Sequence, residues 1–70
     1  MRIVEIHSEP IDLHQLLKFE GLVSSGGEAK AVIDEGLVVV NGEIETRRRK
    51  KINSGDVVEF AGEQLRIQLK

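Results

Sequence analysis

The chain has 70 residues, no Cys and a formal net charge of −2, which leaves room for one small domain and argues against a disulfide framework, a thiolate metal site, a buried multi-part catalytic pocket and indiscriminate binding to polyanions. No apolar run approaches the roughly 20 residues that span a bilayer. The N-terminus MRIVEIHSEP lacks the longer apolar core of a signal peptide, so a soluble protein of the reducing cytoplasm is expected.

No repeat, low-complexity tract or linker interrupts the chain, and one domain over residues 1–70 is expected. RIVEI (residues 2–6) is β-branched and short, a strand that HSEP then breaks,. In IDLHQLLKFEG the residues Leu13, Leu16, Leu17 and Phe19 approximate one helical stripe, and Gly21 can close its end,. Ser25 followed three residues later by Glu28 matches a capping box at the start of a second helix,. Ala29, Val32 and Ile33 repeat at i, i+3 and i+4, and Gly36 stands where a left-handed C-cap belongs,. Two helices joined by so short a loop pack as a hairpin.

From Leu37 the period changes. LVVV reads as a strand, Asn41-Gly42 as a type I′ hairpin turn, and EIETRR as the antiparallel return,. NSGD supplies turn chemistry before the strand VVEF, and AGE turns into LRIQL, where Leu65, Ile67 and Leu69 alternate,. The elements predict an α+β fold, a strand and an α-hairpin followed by a β-meander, with the helices against a small, mainly antiparallel sheet.

Charge is divided along the chain. Residues 1–46 hold three bases against nine acids, whereas residues 47–70 hold seven bases against three acids, and five of those seven are contiguous: Arg47, Arg48, Arg49, Lys50 and Lys51. Alternation along a return strand would send Arg47, Arg49 and Lys51 to one side and Arg48 and Lys50 to the other. Such a run suits a solvated face, a receptor-read address or a footing on nucleic acid. A hairpin would favour the last by fixing the cations on one surface.

Other motifs point nowhere. GLVSSGG has two glycines five positions apart, but Gly27 and Glu28 stand where a phosphate-binding loop needs Lys and then Ser or Thr,. A weaker feature survives, because bare glycines at a helix start leave backbone N–H groups open to a phosphate. His7, Ser8, Asp12 and His14 have the residue types of a hydrolytic site without its spacing,. No catalytic residue, metal site, cofactor or small-molecule substrate is expected.

The succession from Ile11 to Phe60, through SGGEAK, EGLVVVNGE, TRRRKKI and SGD, closely resembles the RNA-binding domain named after small-subunit ribosomal protein S-four. Within that family it is most similar to small stand-alone members of the YbcJ and YaaA type. The resemblance implies an α-hairpin against a small β-sheet and binding to structured RNA through helices and hairpin. Many relatives in larger proteins place an Arg directly after the Ser that begins the second helix, where this chain has Gly26. Lys30 matches a commonly basic family position, and residues 47–51 match the basic segment of the stand-alone members.

The expected function is therefore non-catalytic recognition of structured RNA, ribosomal or transfer, by a monomer in a ribosome-associated setting. Arg47, Arg48, Arg49, Lys50 and Lys51 would neutralise phosphates, Lys30 would extend the patch, and Ser25, Gly26 and Gly27 would offer N–H groups. Phe19 and Phe60, the only aromatics, are expected in the core, which disfavours base stacking on a single strand. The alternative is a protein-interaction adaptor whose acidic half, through Glu20, Asp34 and Glu35, docks a basic partner.

Overall fold

The computed structural model describes residues 1–70. Its elements are β1 (Arg2–Ile6), β2 (Ile11–Asp12), α1 (Leu13–Phe19), α2 (Gly26–Asp34), β3 (Val39–Val40), β4 (Glu43–Ile44), β5 (Lys51–Ile52), β6 (Val57–Phe60) and β7 (Glu63–Leu69). The α+β expectation holds: two helices pack on a mixed, mainly antiparallel sheet of order β1-β7-β6-β3-β4, with β2 and β5 as a separate antiparallel pair. The one parallel pairing, β1 with β7, sets Val4 opposite Ile67 and Ile6 opposite Leu69.

The expected meander is altered. β3 pairs with β4 on one side and with β6 on the other, so β4 is the sheet edge and does not lie between its sequence neighbours. The return strand is also short, because the ladder stops after Ile44. Local chemistry accounts for this: the Glu45 carboxylate accepts both the backbone N–H and the guanidinium of Arg47, which bends the chain away from the sheet. Residues 45–50 are irregular, and the alternation anticipated for Arg47 to Lys51 is absent because those residues up to Lys50 occupy a loop.

Both helix ends follow the sequence signals. The Gly21 and Leu22 N–H groups donate to the carbonyls of Lys18 and Leu17, and the Gly36 and Leu37 N–H groups to those of Ile33 and Val32. Gly21 and Gly36 take positive φ, as that paired C-terminal motif requires,. At the start of α2, Ser25 Oγ accepts the Glu28 N–H at 3.1 Å. The reciprocal half is displaced by one residue, since Glu28 Oε1 accepts from the backbone and hydroxyl of Ser24. Asn41 and Gly42 both have positive φ, as a type I′ turn demands,.

Fourteen buried side chains, all apolar, make one core from Leu13, Leu16 and Leu17 of α1, Ala29 and Ile33 of α2, Val23 and Val38 of the loops that flank α2, and the inward residues of the strands. Ile52 belongs to it, fully buried and paired in register with Ile11. Phe60 packs partly buried at its margin. Phe19 does not join it: the residue is 67% exposed. Leu13, Leu16 and Leu17 already satisfy the i, i+3, i+4 stripe, and position 19 falls off it. Phe19 instead borders a groove of about 450 Å³ with Ile6, Pro10, Ile11 and Leu16. No helix is long and apolar enough to cross a membrane.

Candidate nucleic-acid interface

The basic segment is held by its backbone. α1 has no side-chain cap, because the Asp12 carboxylate is engaged by Lys51 Nζ. The unpaired N–H groups of its first turn are instead taken up by the basic loop: Leu13 donates to the Lys50 carbonyl at 3.0 Å and His14 to the Arg48 carbonyl at 3.1 Å,. Within the loop, the Lys50 N–H donates to the Arg47 carbonyl at 3.2 Å, closing a turn over Arg48 and Arg49,. Just beyond, β5 pairs with β2 and Ile52 enters the core. The segment is thus moored to α1 at several points, although it belongs to no long strand.

Helix α2 forms the other bank. Gly26, Lys30 and Asp34 recur every four residues and so share one face of the helix,. Asp34, at its C-terminal end, accepts from Arg48 Nη2 at 2.9 Å and from Arg48 Nε at 3.3 Å. This bidentate pair ties the loop to the stripe, and it holds the Asp34 carboxyl below, and the Arg48 guanidinium above, their ordinary ranges,. One turn back, Lys30 is exposed and has no carboxylate partner. Ser25, Gly26 and Gly27 sit at the far end of this stripe, about 12 Å from Asp34 at 1.5 Å rise per residue. A Cβ placed on Gly26 would meet nothing within 4 Å.

Three of the five contiguous cations are neutralised within the chain. Arg47 pairs with Glu45, Arg48 with Asp34 and Lys51 with Asp12. The Glu45 carboxyl is pulled down to about 2, chiefly by its hydrogen bond from the Arg47 side chain. Arg49 and Lys50 have no such partner. Folding thereby joins the acidic half of the sequence to the basic half, and the unpaired cations of the loop and of the α2 stripe are Lys30, Arg49 and Lys50.

Against the loop stands His14, which the sequence offered only as a residue type of a hydrolytic site and whose backbone N–H donates to the Arg48 carbonyl. Its Nδ1 is buried without a hydrogen-bond partner. Burial lowers its pKa, and the nearby charges of Lys30, Arg49 and Arg48 lower it further, against the opposing pull of Asp12. The shift favours the neutral imidazole over the imidazolium. Its helical neighbour Lys18 is exposed, so this side of α1 is polar in keeping with the loop it faces. No group of three or more His, Cys, Asp or Glu is placed to hold a metal ion.

The architecture is thus an α-hairpin that presents a stripe of one helix to a moored cationic loop, beside a small mixed sheet, a class of small α+β domain. The S4 domain family model matches residues 4–68 of this chain. The chain therefore belongs to the S4 domain family, which is a family of RNA-binding domains and not of enzymes. It is 47% identical over 57 residues to YbcJ of Escherichia coli (strain K12), covering 81% of each chain. It is 44% identical over 59 residues to the probable ribosome maturation protein RlbA of Bacillus subtilis (strain 168), covering 84% of this chain and 83% of that one. The solution structure of E. coli YbcJ, described as revealing an alpha-L motif involved in RNA-binding, superposes with a TM-score of 0.72 at 42% identity, over 97% of this chain and 87% of the other.

Proposed function

We propose that this protein binds structured RNA without catalysis, using the loop from Arg47 to Lys51, Lys30 and the N-terminal turn of α2 at Ser25, Gly26 and Gly27 as one phosphate-contacting face. The observation that carries the reading is the mooring of the basic loop: its backbone caps α1 and its Arg48 side chain grips α2. A merely solvated charge run has no reason to be fixed at both ends, whereas preorganised cations bind a phosphate backbone with less ordering cost. Membership of the S4 family and likeness to YbcJ support RNA as the polyanion. Likeness to RlbA supports a ribosome-associated, cytoplasmic setting and ribosomal RNA as the target class.

Exposed Phe19 does not turn the reading toward single strands. At 100° per residue it lies about 140° around α1 from His14, away from the cationic face. The adaptor alternative loses two of its three anchors. Asp34 is occupied by Arg48 and Glu20 by Arg2, which leaves Glu35 alone.

The test is direct. The purified full chain, titrated into a fluorescently labelled stem-loop RNA and into a single strand of the same composition, binds the stem-loop more tightly, and binding weakens with salt. Absence of any shift at low salt would overturn the proposal.

A further inference from the structure

The five contiguous cations are not equivalent. Arg48 is constrained at both backbone and side chain: its carbonyl accepts the His14 N–H, and its guanidinium presents two N–H donors to both oxygens of Asp34. Pair members are about half exposed, 51% for Arg48 and 48% for Asp34, so water reaches them, yet the fork geometry is the one in which a surface pair holds a fixed position. To meet a phosphate, Arg48 would have to exchange one anion for another, and such an exchange releases little counterion from the protein's partner. Lys30 and Arg49 have nothing to give up. They project from two different elements that Arg48 brings together: Lys30 lies one turn before Asp34 on α2, and Arg49 follows in the loop directly after Arg48, whose carbonyl accepts the His14 N–H.

We propose that this face divides by role: Lys30 and Arg49, around His14, form the seat for an RNA phosphate, with Lys50 beside it, while Arg48 is a positioning residue that locks the loop to α2 through Asp34 and touches no phosphate. The division rests on the RNA-binding reading and deepens it. The seat is assembled from two elements, and the lock sets their register: without it the same cations still meet phosphate, with lower affinity because the loop must be ordered on binding. Without the Asp34 pair the loop remains joined to α1 but loses its registration against Lys30. The arrangement also gives the acidic half of the sequence a purpose at this site, since Asp34 serves as the anchor of a cationic loop. A carboxylate on the RNA-facing stripe would otherwise only repel the ligand.

The experiment compares variants of the full chain by fluorescence anisotropy with one labelled stem-loop RNA across a salt series. Lys30→Gln and Arg49→Gln each remove one unpaired cation, and each is expected to weaken binding and to lower the slope of log affinity against log salt by about 0.7 to 0.9. The double variant Asp34→Asn with Arg48→Gln removes the pair at constant net charge, and it is expected to weaken binding while leaving that slope unchanged, with faster amide exchange at Lys50 in the loop turn. Circular dichroism confirms folding of each variant. If the double variant loses the same slope as Arg49→Gln, Arg48 contacts phosphate and the division is overturned. If Lys30→Gln and Arg49→Gln leave slope and affinity at wild-type values while wild type binds, the seat is overturned and the RNA-binding reading stands. Failure of wild type itself to bind would overturn that reading.

Discussion

The His14 N–H donates to the Arg48 carbonyl at 3.1 Å, so the first turn of the first helix is completed by the segment that carries the positive charge. Fold and proposed function share this contact. Burial of Ile52 next to Lys51 holds the segment in place, and disturbing that residue should therefore disturb both.

Ile52→Ala is expected to destabilise the fold by about 2 to 5 kcal/mol, the range for truncating a fully buried aliphatic side chain. In a domain this small each kcal/mol is worth about 4 to 8 °C in melting temperature. Phe19→Ser, at an exposed position, is expected to move the melting temperature by only a few degrees. Thermal unfolding followed by circular dichroism separates the two. Equal losses would mean that Phe19 packs where the present structure leaves it in solvent.

Gly42→Val is expected to cost about 1 to 3 kcal/mol, because a β-branched residue resists left-handed backbone. Gly42 has φ +85 and Asn41 has φ 51. The turn also has a second anchor, since Asn41 Oδ1 accepts the Val57 N–H and Asn41 Nδ2 donates to Asp56. Strain at Gly42 would thus reach β6. An unchanged melting temperature would contradict the type I′ assignment.

These contrasts show which parts of the fold were legible in the sequence. Punctuation was: the cap at Ser25, the C-terminal glycines at 21 and 36, and the turn at Asn41-Gly42 depend on local φ, ψ and on hydrogen bonds within a few residues. Periodicity gave the core of both helices, and applied strictly it would also have released Phe19 from the core. The path after Ile44 was not legible. It is decided by Glu45 folding onto Arg47 and by carbonyls of residues 48 and 50 capping a helix more than 30 positions earlier, and no local pattern encodes a partner at that separation. For the candidate site, the cations themselves were legible, while their pairing with Asp12, Asp34 and Glu45 and the position of His14 among them required the tertiary structure.

Two pH effects of defined sign follow. His14 has a lowered pKa in the folded state, so it binds fewer protons there than in the unfolded chain. Its contribution is present above the ordinary pKa near 6.5 and is lost as pH falls below it. Glu45, lowered from 4.5 to about 2 by Arg47, adds stability that is lost as pH drops through that interval. Melting temperature is therefore expected to fall in two stages on acidification, and His14→Gln should remove the upper one. RNA affinity should move oppositely over the upper stage, because a phosphate beside His14 favours the imidazolium. A pH-independent affinity between 5.5 and 7.5, about one unit either side of the free imidazole pKa, would separate His14 from the RNA contact.

Gly26→Arg tests the helical half of the proposed interface. Gly26 opens α2 on the face that carries Lys30 and Asp34, its φ is not positive, and a Cβ there meets nothing within 4 Å. The substitution is therefore sterically free. In energy two terms oppose each other: replacing Gly in a helix gains up to about 1 kcal/mol, less at a terminus, while a cation at the positive end of the helix dipole costs about 0.3 to 1 kcal/mol. Stability should change little, and any change in RNA binding then reports the interface. If the start of α2 faces RNA, the added guanidinium strengthens binding and steepens the salt slope by about 0.7 to 0.9, the increment of one further phosphate contact. The effect should persist in an Arg49→Gln background, because the two positions would meet different phosphates. If Gly26→Arg leaves affinity and slope at wild-type values while Arg49→Gln still lowers them, the interface is confined to the loop and the middle of α2, and Ser25, Gly26 and Gly27 serve only to begin the helix.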